Sequence, residues 1–171
     1  LHLSDLHLDM AAGYPAALIE RLQQVKYDLC VITGDFRART FGDDQAAVAA
    51  LAQVRTHLHG LVYAVLGNHD SIRMVPKIEA LGITVLLNEA VALECNGAVL
   101  YLAGIDDPHY YQVDNFEKAA QSIPADAAAI LLSHSPETYQ RAAHAGFDFM
   151  LSGHTHGGQI CLPGGIALMT N

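Results

Sequence analysis

Five short apolar segments of this sequence end alike: an aspartate, asparagine or histidine stands within three residues of the last apolar side chain. A short apolar run bounded by turn residues is typical of a buried β-strand. In an open α/β sheet the carboxyl ends of the strands line one crevice, where residues far apart in sequence meet. The pattern therefore predicts an α/β fold with one ligand-rich sheet edge. The polar ends read Asp5-Leu6-His7, Gly34-Asp35, Gly67-Asn68-His69-Asp70, Ser133-His134 and Gly153-His154-Thr155-His156.

Amphipathic stretches and turn signals separate these strand-like runs. After the first run, Leu18, Leu22 and Val25 recur at helical spacing. Two turn sequences, Asn96-Gly97 and Pro163-Gly164-Gly165, each predict a hairpin between antiparallel strands. The expected architecture is thus an alternation of strands and helices with some antiparallel pairing.

Composition and charge exclude several classes of protein. With 51% hydrophobic residues, residues 1–171 are expected to form one domain with its own core, and strand-like sequence at both termini indicates that both ends are truncated. The formal net charge of −9 excludes non-specific nucleic-acid binding, which relies on clustered lysine and arginine. An acidic protein of this kind can still bind phosphate through metal ions.

The cysteines and the absence of long apolar runs bear on the compartment. Cys30, Cys95 and Cys161 form no Cys-x-x-Cys pair, and we interpret them as small buried thiols in a reducing compartment. No apolar run approaches the ~20 residues of a membrane-spanning helix. We expect a cytoplasmic protein or one peripheral to the inner membrane, with membrane association through segments outside this sequence left open.

The polar strand ends carry the side chains that bind transition metals. Residues two apart in an extended segment point to the same side, about 6.6 Å apart, so Asp5 with His7 and His154 with His156 can each send two ligands toward one place. Carboxylate, amide and imidazole together suit Mn, Fe, Zn or Co. A single histidine at a strand end is more often an ordinary polar residue, but five such ends favour a metal site.

In this order the motifs D-x-H, G-D, G-N-H-D, a lone histidine and G-H-T-H resemble the calcineurin-like metallophosphoesterases, from Asp5 to His156. The stretches "SGHTHGGQI" and "GDFR" resemble the bacterial membrane-associated phosphodiesterase-like branch of that family. The resemblance implies a two-sheet β-sandwich flanked by helices, a four-layer α/β/β/α fold with two metal ions at the strand ends. It also implies hydrolysis of a phosphodiester, pyrophosphate or phosphomonoester by a hydroxide that bridges the metals.

The same resemblance assigns the ligands of the two divalent ions, which would be Mn, Zn, Fe or Co. Asp35 would bridge them. The first ion would take Asp5, His7, Asp35 and His156, and the second would take Asp35, Asn68, His134 and His154.

Other positions are implied as catalytic or substrate-binding residues. His69 would act beside the leaving group as general acid, with Asp70 either orienting it or capping the turn. Relatives often read G-D-x-x-D, whose second aspartate holds this histidine, but here that position is Ala38. Arg37 or Arg39 would bind the substrate phosphate.

The segment "GIDDPHYY" also follows a strand. Its Asp106-Asp107-Pro108 is a turn signature, and His109, with Tyr110 and Tyr111, is a candidate wall of the substrate site. The branch resemblance indicates a lipid-linked or nucleotide-sugar phosphate ester as substrate.

Two alternatives compete with this hypothesis. Metallo-β-lactamase-like hydrolases also use H-x-H, but their motif continues into Asp-His, whereas Gly157 and Gly158 follow here. The other alternative is a catalytically idle scaffold that keeps the fold for protein binding. Such a scaffold is expected to have lost metal ligands, and every expected ligand type is present in this sequence.

Overall fold

Four parallel strands form the first sheet of the computed structural model, which describes residues 1–158, 160–162 and 166–169. Their order in the sheet is their order in the chain, and a helix connects each consecutive pair. The strands are β1 (His2–Leu3), β2 (Leu29–Thr33), β3 (Leu61–Val65) and β4 (Thr84–Val85). The connecting helices are α1 (Tyr14–Leu22), α2 (Gln45–Arg55) and α3 (Val75–Glu79).

The second four-stranded sheet is mixed. Its first two strands are antiparallel, and the last three run parallel to one another with a helix in each crossover. The strands are β5 (Glu89–Cys95), β6 (Ala98–Gly104), β7 (Ala128–Leu132) and β8 (Phe149–Leu151). The helices are α4 (Phe116–Ala120) and α5 (Tyr139–His144). A separate antiparallel pair follows, β9 (Ile160–Leu162) with β10 (Ile166–Met169).

Three apolar layers hold these elements together. Between the two sheets, Val31 and Val65 of the first sheet pack with Leu102 and Leu132 of the second. A second layer fills the space between the first sheet and α1, α2 and α3, and a third lies between the second sheet and α4 and α5. The four-layer α/β/β/α sandwich predicted from the sequence is therefore confirmed.

The hairpin signals have different outcomes. Asn96 and Gly97 connect β5 to β6 with φ of 52° and 81°, as a two-residue turn with positive φ at both positions requires. The pair β9–β10 is antiparallel as predicted, but the tip at 163–165 lies outside the described residues. Helix α4 was not predicted, although the side chain of Asn115 caps it by accepting a hydrogen bond from the Lys118 amide at 2.9 Å.

The cysteine prediction holds at one position and is wrong at another. Cys30 is fully buried in β2, and burial raises the pKa of its thiol to about 11. Cys95 is exposed, because it ends β5 at the hairpin. The side chain of Cys161 lies outside the described part of the structure. Within that part, no helix has the length and apolar character needed to cross a bilayer.

The layer between the sheets gives a stability prediction. Leu102 is 1% exposed and contributes to this layer, so Leu102→Ala should lower the free energy of unfolding by about 2–5 kcal/mol through lost burial and a residual cavity. Leu61→Ala is the matched control, because Leu61 is 59% exposed and its truncation should change stability by less than about 0.5 kcal/mol. Urea unfolding of both variants measures the difference, and equal losses would contradict this assignment of the core.

Candidate metal centre

The loops that follow β1, β2, β3, β7 and β8 meet at one edge of the sandwich. His134, which follows β7, contacts both neighbouring loops of the first sheet: its Nδ1 lies 2.7 Å from the carbonyl oxygen of Thr33, and its Nε2 lies 2.9 Å from Oδ1 of Asn68. The backbone amide of His154 donates to both carboxylate oxygens of Asp5, at 3.1 and 3.0 Å. The structure therefore brings the five predicted strand ends together.

The backbone at this edge is strained. Among the described residues, eight non-glycine residues have positive φ, and five of these are predicted metal ligands. Each such residue costs of order 1–3 kcal/mol, and this strain clusters at functional sites. The values are 51° for Asp5, 40° for His7, 56° for Asp35, 71° for His154 and 51° for His156.

Asp5, His7 and His156 form the first ligand group. Their ligand atoms all lie within 4.8 Å of one another, with Nε2 of His156 3.3 Å from Oδ1 of Asp5 and 3.4 Å from Nε2 of His7. Nδ1 of His7 lies 3.0 Å from the carbonyl oxygen of Arg37. Since a carbonyl oxygen only accepts, Nδ1 carries a proton, and in the neutral tautomer Nε2 presents its lone pair to the group.

Asp35 and His134 form a second group with Asp5, and Asn68 extends it. The ligand atoms of Asp5, Asp35 and His134 lie within 4.8 Å of one another. His134 donates from Nδ1 to the Thr33 carbonyl, so its Nε2 also faces the site with a lone pair when the ring is neutral.

One oxygen of Asp35 faces a histidine of each group. Its Oδ2 is 3.4 Å from Nε2 of His134 and 3.9 Å from Nε2 of His7. Its Oδ1 accepts a hydrogen bond from the backbone amide of His69 at 2.9 Å, which fixes the orientation of the carboxylate. Asp35 is 2% exposed, so this charge is held away from bulk water.

The buried pair of Asp35 and His134 shifts both titrations. Burial would lower the pKa of His134, but the hydrogen-bonded Asp35 carboxylate outweighs burial and raises it to about 9. Burial would likewise raise the pKa of Asp35, but contact with His134 and the His69 amide lowers it. Without metal, the cationic imidazole thus compensates the buried carboxylate.

Asp70 holds the two central loops together. Its carboxylate accepts hydrogen bonds from the backbone amides of Asp35, Phe36 and Gly67, at 2.8, 3.0 and 2.9 Å. Burial, and then the charge of Asp35, raise the pKa of Asp70 to about 7. Of the two predicted roles, these contacts correspond to the capping one, because they fix the turn that carries Asn68. A catalytic role for Asp70 stays a prediction.

Thr40 and Arg37 support His69. Oγ1 of Thr40 lies 3.3 Å from Nδ1 of His69, a contact that the sequence did not reveal because no motif marks Thr40. Arg37 is 4% exposed, and its guanidinium donates to the main-chain carbonyls of His69 at 2.6 Å, Gly42 at 3.2 Å and Thr40. These contacts engage the guanidinium of Arg37 with main-chain carbonyls, and its contact with phosphate stays a prediction. Arg39 is exposed, and its phosphate contact stays a prediction.

His109 reaches the other side of the centre. Its ring centroid is 4.6 Å from that of His154, and its Nδ1 is 3.2 Å from Oε1 of Glu137. The ring of His154 also lies 4.9 Å from the ring of His134. Glu137 was not predicted, although it stands three residues after His134 in the sequence. His109 thus borders the metal centre, and its contact with substrate stays a prediction.

Two glycines let the loops approach this closely. A β-carbon on Gly153 would lie 2.9 Å from Cβ of Ser4 and closer still to the Asp5 carboxylate. A β-carbon on Gly67 would lie 2.6 Å from the backbone nitrogen of Asp35. Both contacts are shorter than heavy atoms tolerate, so glycine at these positions allows the ligands to converge.

Comparison with known proteins agrees with this arrangement. The family described as "Calcineurin-like phosphoesterase" matches residues 1–158. The uncharacterized metallophosphoesterase YkoQ of Bacillus subtilis is 33% identical over 172 residues, which cover 95% of this chain and 62% of YkoQ. Phosphodiesterase YaeI of Escherichia coli is 29% identical over 178 residues, with coverage of 95% and 62%. The chain thus spans 62% of the length of each of these relatives.

A solved structure gives an independent comparison of the fold. The calcineurin-like phosphoesterase YfkN from Bacillus subtilis has a TM-score of 0.61 to this chain, covering 99% of it and 75% of YfkN. The sequence identity is 16%, so this similarity concerns the fold alone.

The raised pKa of His134 predicts a pH dependence of metal binding. A protonated imidazole cannot bind a metal, and His134 keeps its proton up to about pH 9 in the metal-free chain. Apparent affinity for the Zn²⁺ ion that His134 would bind should therefore rise about tenfold per unit from about pH 7 to about pH 8.5, with release of about one proton per chain from His134. Titration calorimetry in buffers of different ionisation enthalpy measures both quantities. His134→Asn should remove this slope, and a flat profile in the unchanged protein would contradict the assignment.

Proposed function

Because this chain belongs to the calcineurin-like phosphoesterase family, we propose that it hydrolyses a phosphodiester, pyrophosphate or phosphomonoester bond with two divalent ions at this centre. Oδ2 of Asp35 lies between the imidazoles of His7 and His134, and this position is the main support for two ions. A carboxylate oxygen that faces an imidazole on each side can be shared by two cations.

The donor set suits such ions. Carboxylate, imidazole and amide ligands favour Mn, Zn, Fe or Co. His7 and His134 each donate a hydrogen bond from Nδ1–H to a backbone carbonyl, as metal-binding histidines usually do with the nitrogen that does not bind the metal. The first ion would be held by Asp5, His7, Asp35 and His156, and the second by Asp35, Asn68, His134 and His154. When bound, such a pair activates water and neutralises the charge of the phosphate oxygens.

In the proposed reaction, His69 would give a proton to the leaving oxygen. Its backbone amide is held by Asp35, and its ring lies 5.4 Å from the ring of His7, beside the first ligand group. When the Thr40 hydroxyl donates to Nδ1, the proton of the neutral ring resides on Nε2. Ala38 has no carboxylate to hold His69. In the proposed reaction the Thr40 hydroxyl takes that role and sets the tautomer of His69.

Exposed aromatic side chains at the rim of the centre favour a substrate whose phosphate carries an organic group. Phe41 and Tyr110 are 74% and 51% exposed, with ring centroids 6.4 Å apart. Phe41 follows Thr40, the contact of His69, and Tyr110 follows His109, so this rim lies beside the reacting groups. We propose that it contacts the organic part of a phosphodiester, such as a lipid-linked or nucleotide-sugar ester. YaeI, a relative of this chain, is named a phosphodiesterase.

The bridging carboxylate provides the test of this function. Asp35→Asn should lower metal content and abolish hydrolysis of bis(4-nitrophenyl) phosphate together, because both ions would lose a shared ligand. Metal content after dialysis and turnover with Mn, Zn, Fe and Co measure this. Two fully bound ions in the variant would refute the bridge. If the unchanged protein binds two ions but hydrolyses no ester in a panel of phosphomonoesters and phosphodiesters, the scaffold alternative is favoured.

Removal of His69 should separate catalysis from metal binding. His69→Ala should retain both ions and slow the hydrolysis of an alkyl phosphodiester by about 10²–10⁴-fold, the usual contribution of a positioned proton donor. The loss should be smaller for a 4-nitrophenyl ester, whose leaving group needs no proton. Metal analysis and kcat on both esters measure this, and a loss of metal or full activity on the alkyl ester would refute the role.

Replacement of Thr40 tests the positioning of His69. Thr40→Val keeps the shape but removes the hydroxyl, so kcat on the alkyl ester should fall by about 10-fold with KM and metal content unchanged. Thr40→Ser should restore kcat, because it restores the hydroxyl. Equal kcat in the valine and serine variants would show that the hydroxyl at His69 has no effect on the reaction.

A further inference from the structure

A cavity of about 200 Å³ lies beside the segment that supports His69. Two of its lining residues contact His69 directly: Oγ1 of Thr40 lies 3.3 Å from Nδ1 of the ring, and Nε of Arg37 donates to the main-chain carbonyl at 2.6 Å. Pockets that hold a whole small molecule commonly measure about 300–1,000 Å³, so this cavity suits one part of a substrate. Its other walls include Phe41, Asp44, Ser71, Arg73 and Tyr111.

We propose that this cavity receives the leaving alcohol of the substrate, and that this alcohol carries a second anionic group, a phosphate or a carboxylate, which Arg73 binds. The inference rests on the proposed function, in which His69 gives its proton to the leaving oxygen. When the bond from phosphorus to that oxygen breaks, the oxygen takes the proton, so the alcohol must lie beside His69. The cavity that borders Thr40 and Arg37 is within reach of an alcohol in that position.

The walls of the cavity are positively charged although the protein is acidic. Arg37 and Arg73 contribute two cations, and the carboxylate of Asp44 is neutralised by Lys77, whose Nζ lies 2.5 Å from Oδ1 of Asp44. The whole chain has a formal net charge of −9, so a cavity with two arginines departs from the average of the molecule. A local excess of positive charge favours an anion over a neutral group.

The two arginines differ in what they can offer a ligand. Nε, Nη1 and Nη2 of Arg37 each donate to a main-chain carbonyl, so Arg37 fixes the wall and adds its charge. Arg73 is exposed, and within the part of the chain that the structure describes, its guanidinium makes no hydrogen bond or ion pair. All of its donors can therefore serve a carboxylate or phosphate, which arginine binds through two parallel hydrogen bonds.

The backbone that carries Arg73 is anchored. Arg73 lies in a single 3-10 turn, Ile72–Met74, and Oγ of Ser71 accepts a hydrogen bond from the Arg73 amide at 3.3 Å. Met74, the last residue of the turn, is fully buried in the apolar layer between the first sheet and its helices. Binding of an anion thus requires only the side chain of Arg73 to become ordered, which limits the entropic cost.

Two aromatic side chains give the cavity apolar walls beside these cations. Phe41 and Tyr111 are both exposed, and the carboxylate of Asp107 holds the backbone amide of Tyr111 at 2.6 Å. Burial raises the pKa of Tyr111, and the charge of Arg37 opposes that rise, so the Tyr111 hydroxyl lies within range of the arginine. An alcohol with an apolar body and an anionic end matches these walls.

Diesters that differ only in the charge of the leaving group test this inference. Methyl 4-(carboxymethyl)phenyl phosphate and methyl 4-(carbamoylmethyl)phenyl phosphate release phenols of the same shape, and a 4-(phosphonomethyl)phenyl ester represents the phosphate. In the unchanged protein, kcat/KM should be about tenfold higher for a charged ester than for the carbamoyl ester, which is the usual effect of a hydrogen bond to a charged group.

Replacement of Arg73 should reduce this preference. Arg73→Gln should lower the ratio of charged to neutral kcat/KM from about tenfold to about twofold, because only the charge of Arg37 remains. Arg73→Lys should retain part of the ratio, since it keeps the charge. Arg21→Gln is the matched control, because Arg21 is an exposed arginine of α1 outside the cavity, and it should keep the full ratio.

Binding of the released phenols tests the cavity without turnover. The protein as purified should bind 4-hydroxyphenylacetate or 4-(phosphonomethyl)phenol about tenfold more tightly than 4-hydroxyphenylacetamide, and Arg73→Gln should remove most of this difference. Ligand-observed NMR titration measures the dissociation constants of the three phenols for the unchanged protein and for each variant.

The outcomes separate this inference from the proposed function. A preference for one of the two anions that depends on Arg73 supports the inference and identifies the group. If neither anion is preferred, or if the preference is the same in Arg73→Gln or falls equally in Arg21→Gln, the inference is refuted. If the phenols show the Arg73-dependent preference but no ester is hydrolysed, the anion site is supported and the proposed function is refuted.

Discussion

The buried carboxylate of Asp35 is the interaction on which the rest of the site depends. Its Oδ1 accepts the His69 amide, and its Oδ2 faces the imidazoles of His134 and His7. A buried charge with so little solvent requires cationic or hydrogen-bonding partners. In the metal-free chain the cationic partner is His134, whose pKa is raised to about 9. Divalent ions on both sides of Oδ2 would compensate the charge of Asp35 more strongly than His134 does. They would also bind phosphate.

The sandwich is built to keep that carboxylate in place. Apolar packing between the sheets aligns the ends of β2 and β7, and the Thr33 carbonyl of one sheet accepts the Nδ1 proton of His134 from the other. Asp70 binds the Asp35 loop to the Gly67 loop through backbone amides. The backbone at five predicted ligands is strained, with positive φ, and the surrounding contacts stabilise it in that conformation.

The sequence predicted that the candidate ligands converge, because parallel strands end at one edge. It could not predict how each ligand is supported, because those contacts come from loops without a periodic pattern. Arg37 lies in the right segment for a phosphate clamp, yet the backbone turns its guanidinium toward carbonyls. Thr40 and Glu137 carry no motif and become evident only when the loops are folded. Cys95 is exposed because it lies at a hairpin end.

Anomalous diffraction from crystals grown with Mn²⁺ would show whether Asp35 joins two metal positions. We expect two anomalous peaks, one on each side of Asp35 and about 3.5–4 Å apart, with one oxygen of Asp35 contacting both. The first peak should contact His7 and the second His134. A single peak at this edge, or two peaks of which only one contacts Asp35, would show that Asp35 does not bridge two ions.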